Sequence, residues 1–226
     1  MSLIEFPDVI QGSDEWHDQR RGIITASVVG QLITPKTLKT AANDKSRSIV
    51  SQLVAERITG HTDPPYVGDD MLRGIEDELR ARDLYAEVYD HPIREVGFLL
   101  RKEESWQLGY SPDGLVGDDG LIEVKSRRSK LHLLTILSGE VPAEYMAQCQ
   151  AGLLVSGRAW LDFISYSGGM PMWHKRVYPD PLWHKAIITA AEQFEATAAE
   201  MTADYLAKTE GLPATERTPD FMEMTI

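Results

Sequence analysis

The chain is poor in cysteine: among 226 residues only Cys149 carries a thiol. One thiol cannot close an internal disulfide, and it rules out a Cys-rich zinc or iron–sulfur site. The expected setting is a reducing cytoplasm. Long apolar runs are missing as well, with nothing approaching the roughly 20 residues that span a bilayer, so no membrane association is expected. The opening residues Met-Ser-Leu-Ile-Glu-Phe-Pro have neither the basic nor the apolar region of an export signal. Bases are outnumbered, 23 Lys and Arg against 35 Asp and Glu, for a net charge of −12. That argues against a protein that coats nucleic acid non-specifically, because such binding is driven by phosphate neutralisation.

What is present has the make-up of an ordinary folded protein, with 42% hydrophobic and 26% charged residues. The length suits one large domain, read as residues 1–210, followed by a loose or partner-bound tail over 211–226. Charge is unevenly spread. Eight of the acids and only two bases fall in residues 190–226. Lys125-Ser-Arg-Arg-Ser-Lys130 and Arg20-Arg21 are compact basic clusters. An acidic shell around a small basic site suits a protein that handles nucleic acid locally.

Periodicity and breakers predict short helices from Ser13 and from Thr25, a polar loop over 34–44, a helix over 45–59 stopped by Gly60, and a long helix over 69–90. After His91-Pro92 the period shortens. Strands are expected over 93–100, 105–110, 114–116 and 121–125, then helices over 129–138 and 142–156, the second with Pro142 inside its first turn. Strands over 159–166 and 172–177, joined through Gly168-Gly169, and a terminal helix over 181–208 complete the order. This is an α/β architecture: a central mixed sheet flanked by helices, with a helical N-terminal elaboration.

The chemistry concentrates at Ser111-Pro-Asp-Gly-Leu and Leu121-Ile-Glu-Val-Lys125. Residues two apart on a strand share a face, so Glu123 and Lys125 emerge side by side, and a hairpin return brings Asp113 towards them. Two carboxylates and an amine make a site for a hard divalent cation with a proton-handling neighbour, the chemistry of phosphodiester cleavage. Glu-x-Lys alone is equally an ordinary surface pair. On the long helix, Met71, Ile75, Glu78, Arg82, Tyr85 and Tyr89 share one face. Glu78 and Arg82 therefore interrupt an apolar stripe, either as an i,i+4 ion pair or with Glu78 as a third carboxylate aimed at the sheet. Arg127 and Arg128 directly follow the strand, where they either steer a DNA strand or open a solvated helix. Trp173-His174-Lys175 and Trp183-His184-Lys185 repeat a tripeptide without zinc spacing and read as packing. Cys149 reads as a small buried hydrophobe. Phe221, Met222 and Met224 are either a frayed end or a docking tail.

Five segments occur in order: Trp16…Arg20-x-Gly22-x-Ile24-Thr25-Ala26-Ser27, Gly74-x-x-x-Glu78-x-x-Ala81-Arg82, Ser111-Pro112-Asp113-Gly114-Leu115, Glu123-x-Lys125, and Tyr145-Met146-Ala147-Gln148-x-Gln150. Together they resemble the phage lambda exonuclease family, the YqaJ-like viral recombinases and alkaline exonucleases of the PD-(D/E)XK nuclease superfamily, over roughly residues 11–165. The resemblance implies a restriction-endonuclease-like core and a 5′→3′ exonuclease that digests one strand of linear double-stranded DNA, leaving a 3′ overhang for recombination by strand annealing. It implies Mg²⁺, two ions with Mn²⁺ able to substitute, held by Asp113, Glu123 and the Val124 carbonyl with Glu78 near the second ion. Lys125 would position or activate water. Arg20, Ser27, Ser111 and Gln148 would hold the 5′-phosphate. Also implied are a homotrimeric ring, a single-strand annealing partner and a phage or prophage origin in a bacterial cytoplasm. The rival readings are an endonuclease or nickase of the same superfamily and a non-catalytic DNA-end-binding subunit.

Overall fold

The structure, a computed structural model, describes residues 2–63 and 68–217. Strand β1 (Ser2–Phe6) leads to helix α1 (Asp14–Arg20), whose N-cap Ser13 Oγ accepts from Trp16 N at 3.3 Å. A corner at Gly22 turns the chain into the one-turn helix α2 (Ala26–Val29), and β2 (Ile33–Thr34) pairs with β3 (Lys39–Thr40). Helix α3 (Asp44–Thr59) starts with a reciprocal Asn43–Ser46 capping box and stops at Gly60, whose left-handed φ of 62° suits glycine. Helix α4 (Asp69–Tyr89) follows.

The strands come next: β4 (Ile93–Arg94), β5 (Phe98–Lys102), β6 (Gln107–Tyr110), β7 (Gly114–Val116) and β8 (Gly120–Ser126). Helices α5 (Ser129–Ser138) and α6 (Ala143–Ser156), strands β9 (Trp160–Tyr166) and β10 (Trp173–Val177), and helix α7 (Pro181–Thr209) complete the order. One sheet runs β1-β5-β6, all antiparallel; the other runs β10-β9-β8-β7-β4, with β8 and β9 parallel. The central strand β8 is buried from Gly120 to Val124, as expected of a strand covered on both faces. On one side, α6 and α7 join the sheets in the main core, which includes Leu121, Phe163, Leu153 and Ile187. On the other, Ala81 and Tyr85 of α4 pack on Val116, Ile122, Val124 and Ile164.

Several local expectations are corrected. Residues 93–100 form two strands, because the chain leaves the five-stranded sheet after Arg94 and joins the other at Phe98. At Gly97 a Cβ would run into the Val9 carbonyl, so that crossing requires glycine. The polar stretch 34–44 holds β3, and β1, which had no strong alternation to betray it, adds an edge strand to β5. Pro142 sits at the N-cap just outside α6, in extended backbone (ψ 133°). The two Trp-His-Lys tripeptides lie on β10 and α7, both tryptophans packing against the core. Cys149 is fully buried, and burial pushes its thiol pKa up. Residues 212–217 form no helix or strand, and the Phe221–Met224 reading lies outside the described residues. No described helix is long and apolar enough to cross a membrane.

The most instructive correction concerns α4. Its buried residues are Asp77, Ala81 and Tyr85, whereas Met71 and Ile75 are 46% and 53% exposed. The apolar positions at the start of the helix face an open cleft of about 1040 Å³ instead of the core. Glu78 and Arg82 line the same cleft, so the charges that broke the stripe stand at a hollow.

Candidate active site and end-binding pocket

Two polar centres flank the turn Ser111–Asp113. The first gathers on β8. Strand β7 begins at Gly114, opposite Ile122, so the ladder does not reach Val124. The Asp113 carboxylate takes its place, Oδ2 accepting from Val124 N at 2.6 Å. A strand residue turns its N–H and C=O to the same side, so the Val124 carbonyl also opens towards Asp113. On the adjoining face Lys125 Nζ donates to Glu123 Oε1 at 2.6 Å, Gln148 Nε2 donates to the same oxygen, and Tyr110 OH donates to Oε2 at 3.0 Å. Gly152 of α6 packs against the Tyr110 ring, where a Cβ would stand 2.8 Å from the ring carbon that bears the hydroxyl.

This centre is rich in negative charge. Burial, then the charges of Glu123 and Glu78, push the Asp113 carboxyl well above its ordinary range. Burial also raises Glu78, opposed chiefly by the Arg82 charge and then influenced by Glu123 and Lys125. The ion pair considered for Glu78 does not form. Arg82 donates to the Asp113 carbonyl at 3.3 Å and pairs with Glu95 at 2.9 Å. Burial alone would lower Lys125, but Glu123 and Asp113 together raise it, so it stands as an ammonium. Burial and Glu123 raise Tyr110, which remains a hydrogen-bond donor.

Three carboxyl groups and a backbone carbonyl around one ammonium suit a hard divalent cation, because they offer oxygen ligands and carry excess negative charge. Among the described residues no three Asp, Glu, His or Cys side chains are grouped closely enough to hold an ion by themselves. Water and a substrate phosphate would complete the shell, as Mg²⁺ commonly requires.

The second centre is built around Arg20. The segment Ile24–Thr25 docks on β6 through Gly109 N to Ile24 O at 2.9 Å and a Thr25–Gly109 bridge. Ser111, just beyond β6, is thereby brought to Arg20. Arg20 Nη1 donates to Ser111 Oγ at 3.1 Å and Nη2 to Ser27 Oγ at 3.5 Å. Its guanidinium lies 3.9 Å over the Trp16 ring, whose Nε1 donates to Ser111 Oγ at 2.8 Å. No carboxylate pairs with Arg20 among the described residues. Burial lowers it to about 10, opposed by the charge of Glu56. Arg20 and Glu78 line the same cleft, whereas Asp113, Glu123 and Lys125 lie outside its lining.

The structure thus brings Asp113, Glu123, Val124 and Lys125 together, leaves Glu78 within electrostatic reach of Glu123 and Lys125 without a direct contact, and separately unites Arg20, Ser27 and Ser111. Gln148, expected in the Arg20 group, instead reaches Glu123. Arg127 and Arg128 line a separate basic recess with Arg73 and Arg80. Arg127 is buried against Glu144 and the Tyr145 ring, and exposed Arg128 pairs with Asp70 at 3.1 Å. Tyr110 was missed; the hint was an aromatic hydroxyl immediately before the Ser111 turn. Glu56 and Arg57, which grip the corner after Arg20, carry no local signal.

The model of the YqaJ-like viral recombinase domain matches residues 15–159. The alkaline exonuclease LHK-Exo of Laribacter hongkongensis is 30% identical, with a TM-score of 0.79 covering 89% of this chain and 100% of that one. Its complex with dAMP gives 32% and 0.77 over the same shares. A phage-related exonuclease from Haemophilus somnus 129PT, 13% identical with a TM-score of 0.56 over 79% of this chain and 96% of that one, shares the fold. Curated protein sequences give no match.

Proposed function

We propose that this chain, which belongs to the YqaJ-like viral recombinase domain family and is a nuclease of the lambda exonuclease type, is a metal-dependent 5′→3′ exonuclease on linear double-stranded DNA. One observation carries the reading: a buried cluster of carboxylates and an arginine with no acidic partner among the described residues stand on either side of one three-residue turn. An enzyme that cuts next to a 5′-phosphate needs both. Arg20, with Ser27 and Ser111, offers forked and hydroxyl donors for that phosphate. Holding the end in register converts binding into orientation of the next phosphodiester bond.

Asp113, Glu123 and the Val124 carbonyl are proposed to hold Mg²⁺, with Glu78 serving a second ion. When bound, such ions supply a reactive water near neutral pH and neutralise charge on the scissile phosphate. Lys125, fixed by Glu123, orients that water; Tyr110 fixes the other oxygen of Glu123. Gln148 is assigned to the carboxylate centre and exposed Arg128 to steering of the strand, while Arg127 is held back by Glu144 and the Tyr145 ring. The product is a duplex with a 3′ overhang, suited to recombination by strand annealing. A homotrimeric ring and a single-strand annealing partner, both implied by the family resemblance, complete the proposal. Light scattering tests the ring, and a monomer in solution would contradict it.

The principal test is Mg²⁺-dependent release of nucleotides from linear duplex. Ends bearing a 5′-phosphate should be consumed much faster than 5′-hydroxyl ends. Circular duplex cut as fast as linear would favour the endonuclease reading, and no release would leave a DNA-end-binding subunit.

A further inference from the structure

We propose that Glu56, Arg57 and Glu195 are positioning residues for Arg20, which makes the C-terminal helix α7 part of the apparatus that recognises a DNA end. The proposal rests on the reading of Arg20 as the 5′-phosphate receptor. Arg20 ends α1, and the chain reverses two residues later at Gly22, where φ is +65°. A Cβ there would press into Arg57 Cγ and stand 3.2 Å from the Leu53 carbonyl. Glycine is therefore required by both backbone and space. Gly22 has no side chain, so only its peptide groups can anchor it.

Both polar groups of Gly22 are taken by consecutive residues of α3. The N–H donates to Glu56 Oε2 at 2.8 Å, and the C=O accepts from Arg57 Nε at 2.6 Å. Glu56 is buried, and its other oxygen accepts from Gln52 Nε2 at 3.1 Å. Arg57 spends its remaining fork on α7: Nη1 and Nη2 donate to Glu195 Oε2 and Oε1 at 2.7 and 2.8 Å. Its guanidinium also lies 4.9 Å from the centre of the Phe194 ring. A planar guanidinium bonded at three of its nitrogens has little rotational freedom. Its two ends are thus fixed, one on α7 and one on the corner that carries Arg20.

The same clamp addresses charge. Arg20 is a half-buried cation with no paired carboxylate among the described residues, and Glu56 raises its pKa against the effect of burial. Glu56 is bonded to Gly22, whereas the Arg20 guanidinium itself is bonded to the neutral hydroxyls of Ser111 and Ser27. Glu195, on α7, has no contact with Arg20, Ser27, Ser111 or the carboxylate centre, so its effect must pass through Arg57.

The test compares wild type with Glu195→Ala, Glu195→Gln and Glu192→Ala on linear duplex carrying 5′-phosphate or 5′-hydroxyl ends. Glu192 also tethers α7, through Ser105 Oγ at 3.1 Å, but does not reach Gly22. All proteins are assayed as full chains, below their melting temperatures. Glu195→Ala should raise KM for phosphorylated ends about tenfold, corresponding to about 1.4 kcal/mol, and leave kcat within about twofold. Its rate on hydroxyl ends should be unchanged, so the phosphate preference falls. Glu195→Gln, which keeps an acceptor, should recover part of the loss, and Glu192→Ala should match wild type. A phosphate preference retained in Glu195→Ala, or lost equally in Glu192→Ala, overturns the clamp. A wild type indifferent to the 5′-phosphate overturns the end-pocket reading first and the clamp with it, which separates the two failures.

Discussion

Replacing Asp113 with Asn should abolish cleavage and yet stabilise the metal-free protein. Burial by itself penalises the charged form of Asp113, which also lies among like charges, Glu123 and Glu78 repelling it and Lys125 attracting it. At an effective dielectric near 20, one uncancelled neighbour several ångströms away costs roughly 2–4 kcal/mol. Asparagine keeps the volume and an acceptor for Val124 N–H, but a charge-assisted bond becomes a neutral one, a loss of about 1 kcal/mol. The net gain is about 1–3 kcal/mol, which for a chain of this size raises Tm by roughly 3–10 °C.

The sign with pH follows from the raised carboxyl. The folded Asp113 holds its proton to higher pH than the unfolded chain, whose pKa is near 3.8. Wild-type stability from this group is therefore greatest below that pH and falls as pH rises towards the folded value. Wild type and Asp113→Asn should coincide at the acid end and diverge upwards. Excess Mg²⁺ should invert the order, since saturation at about 100 times Kd stabilises wild type by about 2.7 kcal/mol and the variant lacks a ligand. Thermal melts with chelator and with Mg²⁺, across pH, read all of this. If the variant melts below wild type in chelator at mildly alkaline pH, the carboxylate centre is not charge-strained and the argument fails.

Three further outcomes follow from the geometry. Arg20→Ala should reduce the preference for 5′-phosphate ends by about 10–100-fold, because it removes a charged donor worth about 1.5–3 kcal/mol; an unaltered ratio of initial rates on the two ends would contradict the pocket. Glu78→Gln should lower activity by about 10²-fold or more while DNA-end affinity holds, if the carboxylate serves a second ion; a Mg²⁺ titration of the rate identical to wild type would assign Glu78 elsewhere. Arg128→Ala should reduce the slope of log affinity against log salt by about one phosphate contact, measured by equilibrium binding in Ca²⁺; an unchanged slope would mean that its pairing with Asp70 is its whole role.

Short-range structure was legible because it depends on short-range rules. Ser13 and Gly60 mark helix ends by satisfying or releasing backbone groups over a few residues. Glu123 and Lys125 share a face because the strand period is two, and their 2.6 Å contact follows from it. The ordered motifs placed Asp113 and Arg20 among the site residues before any distance was known. Helical period likewise found the apolar row on α4, but an apolar row does not say whether protein or a cleft faces it. Met71 and Ile75 at an open hollow show the difference.

By itself, then, the sequence determined the helices and the strands from β6 to β10, the residue types of a metal-assisted nuclease and the facing of Glu123 with Lys125. Tertiary structure alone decided that Asp113 takes over the Val124 amide, that Ser111 meets Arg20 across 91 positions, that Gln148 turns to Glu123, and that Glu195 reaches the Gly22 corner through Arg57. The physical reason is range: backbone periodicity acts over a few residues, whereas these contacts depend on how whole helices and sheets pack, through surfaces assembled from distant parts of the chain.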